Sequence, residues 1–171
     1  EGVQIVALLD DTLNKHCGKK ICGAGWQYDG SAPKQGKKAK RTSHGVCFVI
    51  IGLAVHLPGI SERVFCLPYA ARLWWPEKAK VKPHGLPYKT KLELGLDLIN
   101  LTHSWLEEGE RLKVVTDLAY CCEKVLKGRP EGVHVTGRMK QTSALFGLLE
   151  AQAVRRPGRP RKRGYRLPTP A

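Results

Sequence analysis

The chain has 171 residues, which suits one domain, and its 42% hydrophobic content is enough for an ordinary core. The formal net charge is +14, and a positive field of that size favours nucleic acid as a partner and makes its binding depend on salt. No window reaches the roughly 18 uninterrupted apolar residues of a membrane span, and no secretory leader is visible, so we expect no membrane partner.

The first half of the chain predicts three strands joined as an antiparallel meander. A polar connection rich in Gly and Lys, residues 12–44, separates the first strand from the second. The dipeptide Pro58-Gly59 is a turn signal between the second and the third. The predicted strands are residues 3–9, 46–57 and 62–69.

Residues 72–88 predict an irregular segment that carries two adjacent tryptophans, Trp74 and Trp75. We expect both indoles to pack this segment onto the body of the protein. The alternative is that one of them stacks on a displaced base of a nucleic acid.

The second half of the chain alternates helices with strands. Thr90, with Glu93 three residues further on, is a capping signal before an amphipathic pattern. The predicted elements are a helix at 90–108, a strand at 111–116, a helix at 118–127, a strand at 131–136 and a short helical stretch at 142–150.

Composition changes near residue 151. The last 21 residues hold seven Arg or Lys, four Pro and no acidic residue, so they cannot build a core of their own. We therefore divide the chain into a core at 1–150 and a basic tail or linker at 151–171. Because the chain opens on Glu1 rather than Met and enters a strand at once, we expect a core that is incomplete at both ends.

Acidic residues follow two of the predicted strands at the point where each strand ends. Asp10 and Asp11 follow the first strand, and Asp117 follows the strand at 111–116. The element order matches the ribonuclease H-like fold, an α/β fold whose mixed sheet has a meander of three antiparallel strands and then parallel strands flanked by helices. Because the first and fourth strands are neighbours in that fold, we expect the carboxylates to converge. Their hard oxygen ligands suit Mg²⁺ (or Mn²⁺).

Five sequence blocks carry a family resemblance that covers nearly the whole chain. Together they resemble the DDE superfamily transposases of bacterial insertion sequences. The resemblance implies a cut-and-paste DNA transposase that uses two metal ions, acts on transposon ends and target DNA, is located in the bacterial cytoplasm with the nucleoid, and assembles as a homodimer on DNA. The blocks are LDDTL at 9–13, GAGW at 23–26, LPYAARL at 67–73, VTDLAY at 115–120 and VHVTGRMK at 133–140.

The resemblance also implies which acids bind metal. The first family acid stands two residues before a Thr or Ser, which selects Asp10; Asp11 is the fallback, as a helper or a turn residue. The second stands three residues before an aromatic, which selects Asp117 with Tyr120. The third family acid is a Glu in a Tyr-x-x-Arg-x-x-x-Glu pattern, which does not occur here. Glu150 lacks that context and is expected to be a surface residue, so we expect the chain to end before the third acid.

Basic residues in three places are candidate DNA contacts. Residues 34–41 hold five basic residues in eight, and residues 157–164 resemble an AT-hook, with Gly-Arg-Pro at its centre. Each of these segments could equally be a solvated loop or linker. The candidate DNA-binding residues are Lys37, Lys38, Lys40, Arg41, Arg138, Lys140, Arg159, Arg161, Lys162 and Arg163.

Three functions remain open at this stage. The first is a metal-dependent transposase core, expected to be inactive alone if the third acid is missing. The second is a non-catalytic DNA-binding remnant that uses the basic loop and tail. The third and weakest is a ribonuclease H-like nuclease that acts on RNA or hybrids, which the transposase-like blocks disfavour.

Overall fold

The structure is a computed structural model, and it describes residues 3–18, 20–32, 41–140, 142–148 and 163–168. It divides into two compact units, residues 1–137 and residues 138–171. Within the described ranges, no helix is long and apolar enough to cross a membrane. The predicted boundary at residue 150 stays a prediction, because the residues around it lie outside the described part.

The first unit is built from one mixed sheet and two helices, counted over its described residues. The strands and helices follow the order that the sequence predicts, with one additional strand. The elements are β1 (Gln4–Lys15), β2 (Gly25–Tyr28), β3 (Thr42–His56), β4 (Val64–Trp74), α1 (Lys91–His103), β5 (Arg111–Thr116), α2 (Glu123–Gly128) and β6 (His134–Gly137).

The sheet topology confirms the predicted ribonuclease H-like fold. β3 pairs antiparallel with β1 along one edge and with β4 along the other, which is the meander. β5 pairs parallel with β1 on its free edge, and β6 pairs parallel with β5. β1 and β5 are therefore neighbours, as predicted, and Asp117, the residue after β5, comes next to Asp10 of β1.

β1 is longer than its apolar run predicts. It continues through the two aspartates to Lys15, because β3 pairs with it from Ala7 to Lys15. Asp10 and Asp11 thus lie within a strand and not at its exit, which corrects the prediction. The segment expected to be only a polar connection also contains β2, whose four residues pair with the start of β3.

The core lies between one face of the sheet and α1. Alternate residues of β1 and β3 are buried on this face, as the two-residue period of a strand requires. Leu98 and Ile99 of α1 are fully buried against them. Burial of one such aliphatic side chain contributes roughly 1.5–3 kcal/mol. The other core members include Ala7, Leu9, Val49, Ile51, Leu94, Leu112, Val114, Tyr120, Val125 and Val133.

Both helices are shorter than predicted. Thr90 caps α1 through the expected box with Glu93, but the helix ends at His103. α2 begins only at Glu123, because the residues after Asp117 form a turn in which Cys121 N–H donates to the Asp117 carbonyl at 3.3 Å. These differences do not change the order of the elements.

The second unit contains no helix in its described residues, so the helical stretch predicted at 142–150 is wrong for 142–148. Phe146 instead forms an antiparallel bridge with Arg166. Gly147 N–H donates to the Tyr165 carbonyl at 2.8 Å, and Leu167 N–H donates to the Leu145 carbonyl at 2.9 Å. The backbone N–H and C=O groups of this segment thus form hydrogen bonds with a distant segment, whereas in a helix they would bond to residues nearby in the chain.

Candidate active site

Asp10 and Asp117 occupy equivalent positions on two neighbouring parallel strands. The last paired residues of β1 and β5 are Leu9 and Thr116, and each aspartate is the next residue. Leu9 and Thr116 are buried on the face that α1 covers, so alternation turns both aspartates to the opposite face. Both aspartates are exposed there. Two predicted ligands therefore lie side by side on one face of the sheet.

The electrostatics of Asp10 agree with this placement. Partial burial raises the pKa of the Asp10 carboxyl above its usual value, the hydrogen bond from Asp11 N–H lowers it, and the negative charges of Asp11 and Asp117 raise it further. That hydrogen bond, at 2.8 Å, holds Oδ1. A cation bound near these carboxylates would reduce the repulsion between their negative charges.

The turn after β5 orients Asp117. Its Oδ1 accepts hydrogen bonds from the backbone N–H groups of Ala119 at 2.9 Å and Tyr120 at 3.3 Å. Oδ2 has no hydrogen-bond partner among the described residues. Asp117 is thus held by one oxygen, and the other remains free for a ligand.

Asp11 lies on the opposite face from Asp10 and is engaged in a polar cluster. Lys91, at the start of α1, donates to its Oδ2 at 2.5 Å. Tyr120 O–H donates to Oδ1 at 3.3 Å, and the Cys47 thiol donates to Oδ2 at 3.4 Å. The Lys91 ammonium also lies 4.8 Å from the centre of the Trp74 ring. Side chains from α1, from β3 and from the turn after β5 therefore converge on this one carboxylate of β1.

The surroundings of this cluster raise the pKa values of Lys91 and Tyr120. Burial lowers the pKa of Lys91, but the hydrogen bond and charge of Asp11 outweigh it, so the net shift is upward. Burial, followed by the charge of Asp11, raises the pKa of Tyr120, which remains a protonated donor. The charge of Asp11 is balanced by Lys91, whereas Asp10 forms no ion pair with any residue that the structure describes. The sequence alone did not predict a role for Lys91, because this residue stands 80 positions from its partner Asp11 and belongs to no motif.

The donor set fits a divalent cation only in part. Asp10 and Asp117 offer hard oxygen ligands on one face, as Mg²⁺ and Mn²⁺ require. No group of three or more His, Cys, Asp or Glu side chains is arranged for metal binding among the residues that the structure describes. Glu150 lies outside those residues. Two of the expected ligands are therefore placed, and a third is not.

The candidate DNA contacts are placed only in part. Lys37, Lys38, Lys40, Arg159, Arg161 and Lys162 lie outside the described residues. Arg41 donates to the Gly30 carbonyl at 3.2 Å, and the Arg163 guanidinium lies 4.9 Å from the centre of the Phe146 ring. Arg138 and Lys140 are exposed. Neither of these two side chains forms an ion pair with a residue that the structure describes, so both are available for a phosphate contact.

Trp74 is the last residue of β4 rather than part of an irregular segment, and both it and Trp75 pack on the protein, as expected. Trp75 is only 6% exposed, and its ring lies 6.4 Å from that of Tyr88 in an edge-to-face arrangement. Trp74 is half-buried beneath Lys91. Neither indole presents the free face that base stacking requires.

Comparison with known proteins gives one match. A family model described as DDE superfamily endonuclease matches residues 2–171, nearly the entire chain. No curated protein and no solved structure matches the chain.

Proposed function

The chain belongs to the DDE superfamily endonuclease family, and we propose that it is the catalytic core of a cut-and-paste DNA transposase. In this proposal, Asp10 and Asp117 are two of its metal ligands. The observation that supports it most directly is the register of β1 and β5, which brings these carboxylates to one face of the sheet. Family members generally use divalent metals and act on DNA, and the net charge of +14 suits a polyanionic substrate.

The roles of the residues follow from their surroundings. Asp117 is oriented by the turn that ends at Tyr120, through the hydrogen bonds that its Oδ1 accepts from the backbone. Asp11 positions the strand through Lys91 and does not itself bind metal. Mg²⁺ or Mn²⁺, when bound, would activate water and neutralise charge on the leaving oxygen of a phosphodiester. The family's third acid is not among the described residues, so metal binding is a more direct readout than turnover.

Titration calorimetry with Mn²⁺ tests this function. We expect the wild-type chain to bind the ion and the Asp10→Asn/Asp117→Asn variant to lose measurable binding. Asp97→Asn is the matched control, because Asp97 is a carboxylate on α1 that pairs with Lys89 away from the site. Equal Mn²⁺ affinity in the wild type and the double variant would remove the proposed site.

A second function, metal-independent DNA binding without cleavage, is supported by the absence of a third metal-binding side chain in the described ranges. It predicts binding that falls steeply with salt and is unchanged by EDTA. Nicking of supercoiled plasmid by the wild type, lost in the double aspartate variant, would exclude it.

A further inference from the structure

A second site with the chemistry of a nucleic-acid contact lies away from the aspartates. A cavity of about 870 Å³ is bounded by the ends of β1, β2 and β3 and by the turn that follows β4. Sites for small molecules and nucleotides span roughly 300–1,000 Å³. Basic side chains on its wall include Lys15, Lys78 and Lys80, and none of the described residues that line it is acidic.

An exposed indole lies at this cavity. Trp26 of β2 is 70% exposed, although it belongs to a paired strand. Its ring lies 5.7 Å from that of His44 at an interplanar angle of 71°, and this edge contact orients the indole. Since a backbone carbonyl only accepts, His44 donates its Nδ1–H to the His16 carbonyl at 2.8 Å, which fixes the imidazole in turn. A large apolar side chain is thus held in place and left in solvent.

A second aromatic extends the same surface. Tyr28 follows Trp26 by two residues in β2, so both side chains project from the same face of the strand. It is 71% exposed. Two exposed aromatics about 7 Å apart along a strand match the way in which single-stranded nucleic acids stack successive bases on a protein.

Lys78 and Lys80 supply the charge at this surface. Both are exposed, and neither forms an ion pair with any residue that the structure describes. Buried Ala79 separates them, and its N–H donates to the Pro76 carbonyl at 2.8 Å, which closes the turn that carries both lysines. Lys15 differs, because its charge is balanced by Asp29 at 2.7 Å. The unbalanced charge therefore comes from Lys78 and Lys80.

The register relates Trp26 to the proposed metal site. Asp10 pairs with Ile50, and Trp26 pairs with His44, six residues away along β3. Because six is an even number, alternation places Trp26 and Asp10 on the same face of the sheet. Six residues of strand span about 20 Å, a distance that one DNA substrate covers.

We propose that β2 and the Pro76–Lys80 turn bind unpaired DNA, with Trp26 stacking on a base and with Lys78 and Lys80 contacting phosphates. The inference rests on DNA as the substrate of the proposed function. The proposed site would contact one unpaired DNA strand at a distance from the phosphate that is cleaved. Such a site would hold the end of a DNA molecule whose strands are locally separated.

Fluorescence anisotropy tests this site with two labelled DNAs, a blunt duplex and the same duplex with a single-stranded overhang of about ten nucleotides. Both are titrated in EDTA. We expect the wild type to prefer the overhang. Trp26→Ala should weaken overhang binding about tenfold, the effect of losing about 1.4 kcal/mol of stacking, and should leave blunt-duplex binding unchanged. Trp26→Phe keeps a ring and should retain most of the preference.

The lysines are tested by the salt dependence of overhang binding. Lys78→Gln/Lys80→Gln should reduce the slope of log K against log salt by about 1.4, the value for two phosphate contacts on a single strand. Arg63→Gln/Arg111→Gln is the matched control, because it removes two exposed charges outside the cavity and should change this slope less. A Trp26→Ala variant with an unchanged overhang preference, or with an equal loss on both DNAs, would overturn the proposal, and so would a wild type without that preference.

The test separates this site from the proposed function. The Asp10→Asn/Asp117→Asn variant should keep the wild-type preference for the overhang over the blunt duplex, since its change in charge acts on both DNAs and EDTA removes metal from the assay. If that variant and the wild type bind Mn²⁺ equally while the overhang preference depends on Trp26, the catalytic proposal fails and the DNA site stands.

Discussion

Lys91 and Asp11 form an ion pair at 2.5 Å that joins the start of α1 to the middle of β1. The pair lies on the face of the sheet that carries the core, with Tyr120 and Cys47 as further donors to the carboxylate. Adjacent residues of a strand point to opposite faces, so this contact also determines that Asp10 is turned away from the core. The two neighbouring aspartates thus have different surroundings.

Replacement of Asp10 by Asn is expected to weaken Mn²⁺ binding at least tenfold without lowering stability in the absence of metal. The raised pKa of Asp10 means that the folded protein disfavours its charged form, so a neutral amide relieves repulsion. Calorimetry and urea unfolding in EDTA measure the two effects. A marked loss of stability with unchanged Mn²⁺ affinity would assign Asp10 a structural role.

Replacement of Asp11 by Asn is expected to give the opposite result. The variant should retain Mn²⁺ affinity and lose about 1–3 kcal/mol of unfolding free energy, the range for a partly buried charged hydrogen bond. Lys91→Met should cost a similar amount. The double variant should be less destabilised than the sum of the single variants, because each single change leaves a polar group without its partner. If the loss of unfolding free energy in the double variant, measured by urea unfolding, equalled the sum of the two single losses, the two side chains would not be coupled.

Replacement of Glu93 by Gln tests the cap of α1 through its dependence on pH. Hydrogen bonds from Lys124 and from the backbone and side chain of Thr90 lower the pKa of Glu93 from 4.5 to about 2. A lowered folded-state pKa contributes stability above pH 4.5 that is lost as the pH falls towards 2. We therefore expect the stability difference between wild type and Glu93→Gln to shrink over this interval. Thermal unfolding at several pH values measures it, and a constant difference would contradict the assignment.

Replacement of Gly95 by Ala tests how closely α1 approaches the sheet. In an exposed helix this change stabilises by about 1 kcal/mol. Here the added Cβ would lie 2.9 Å from the Tyr120 ring and 3.3 Å from Leu9. Because the hydroxyl of Tyr120 also donates a hydrogen bond to Asp11, the ring cannot move away freely, and we expect a net destabilisation of about 1–3 kcal/mol, the range for an overpacked core.

Asn100→Ala, on the exposed side of α1, is the control for Gly95→Ala. It should be neutral or slightly stabilising, because alanine is the better helix former. Chemical unfolding of the two variants separates helix propensity from packing. If Gly95→Ala were as stable as the control, the close contact between α1 and Tyr120 would be excluded.

Much of the fold could be predicted from local patterns. The apolar run at 3–9, the meander and the strand at 111–116 are recognisable from the sequence alone, because hydrophobic residues at strand spacing need one buried face wherever the strand lies. The capping box at Thr90 and Glu93 is also local, and the structure confirms it. The order of these elements was sufficient to predict that β1 and β5 are neighbours.

Other elements could not be predicted from local patterns. β2 has four residues and no apolar run, and it forms a strand because the start of β3 offers a free edge. The helical pattern at 142–150 was misleading, since Phe146 pairs with Arg166. In the sequence Trp26 is recognisable only as part of the GAGW block, because its place beside Lys78 and Lys80 depends on the turn after β4.

Composition and apolar spacing are local properties, so they were enough to identify the acidic residues and the strands that carry them. They left open whether Asp10 or Asp11 is the ligand. Only the tertiary structure places them on different faces, since α1 covers the face of Leu9 and brings Lys91 to Asp11. The physical reason is that a strand alternates its side chains regardless of sequence, while the face that becomes core depends on which distant element packs against it.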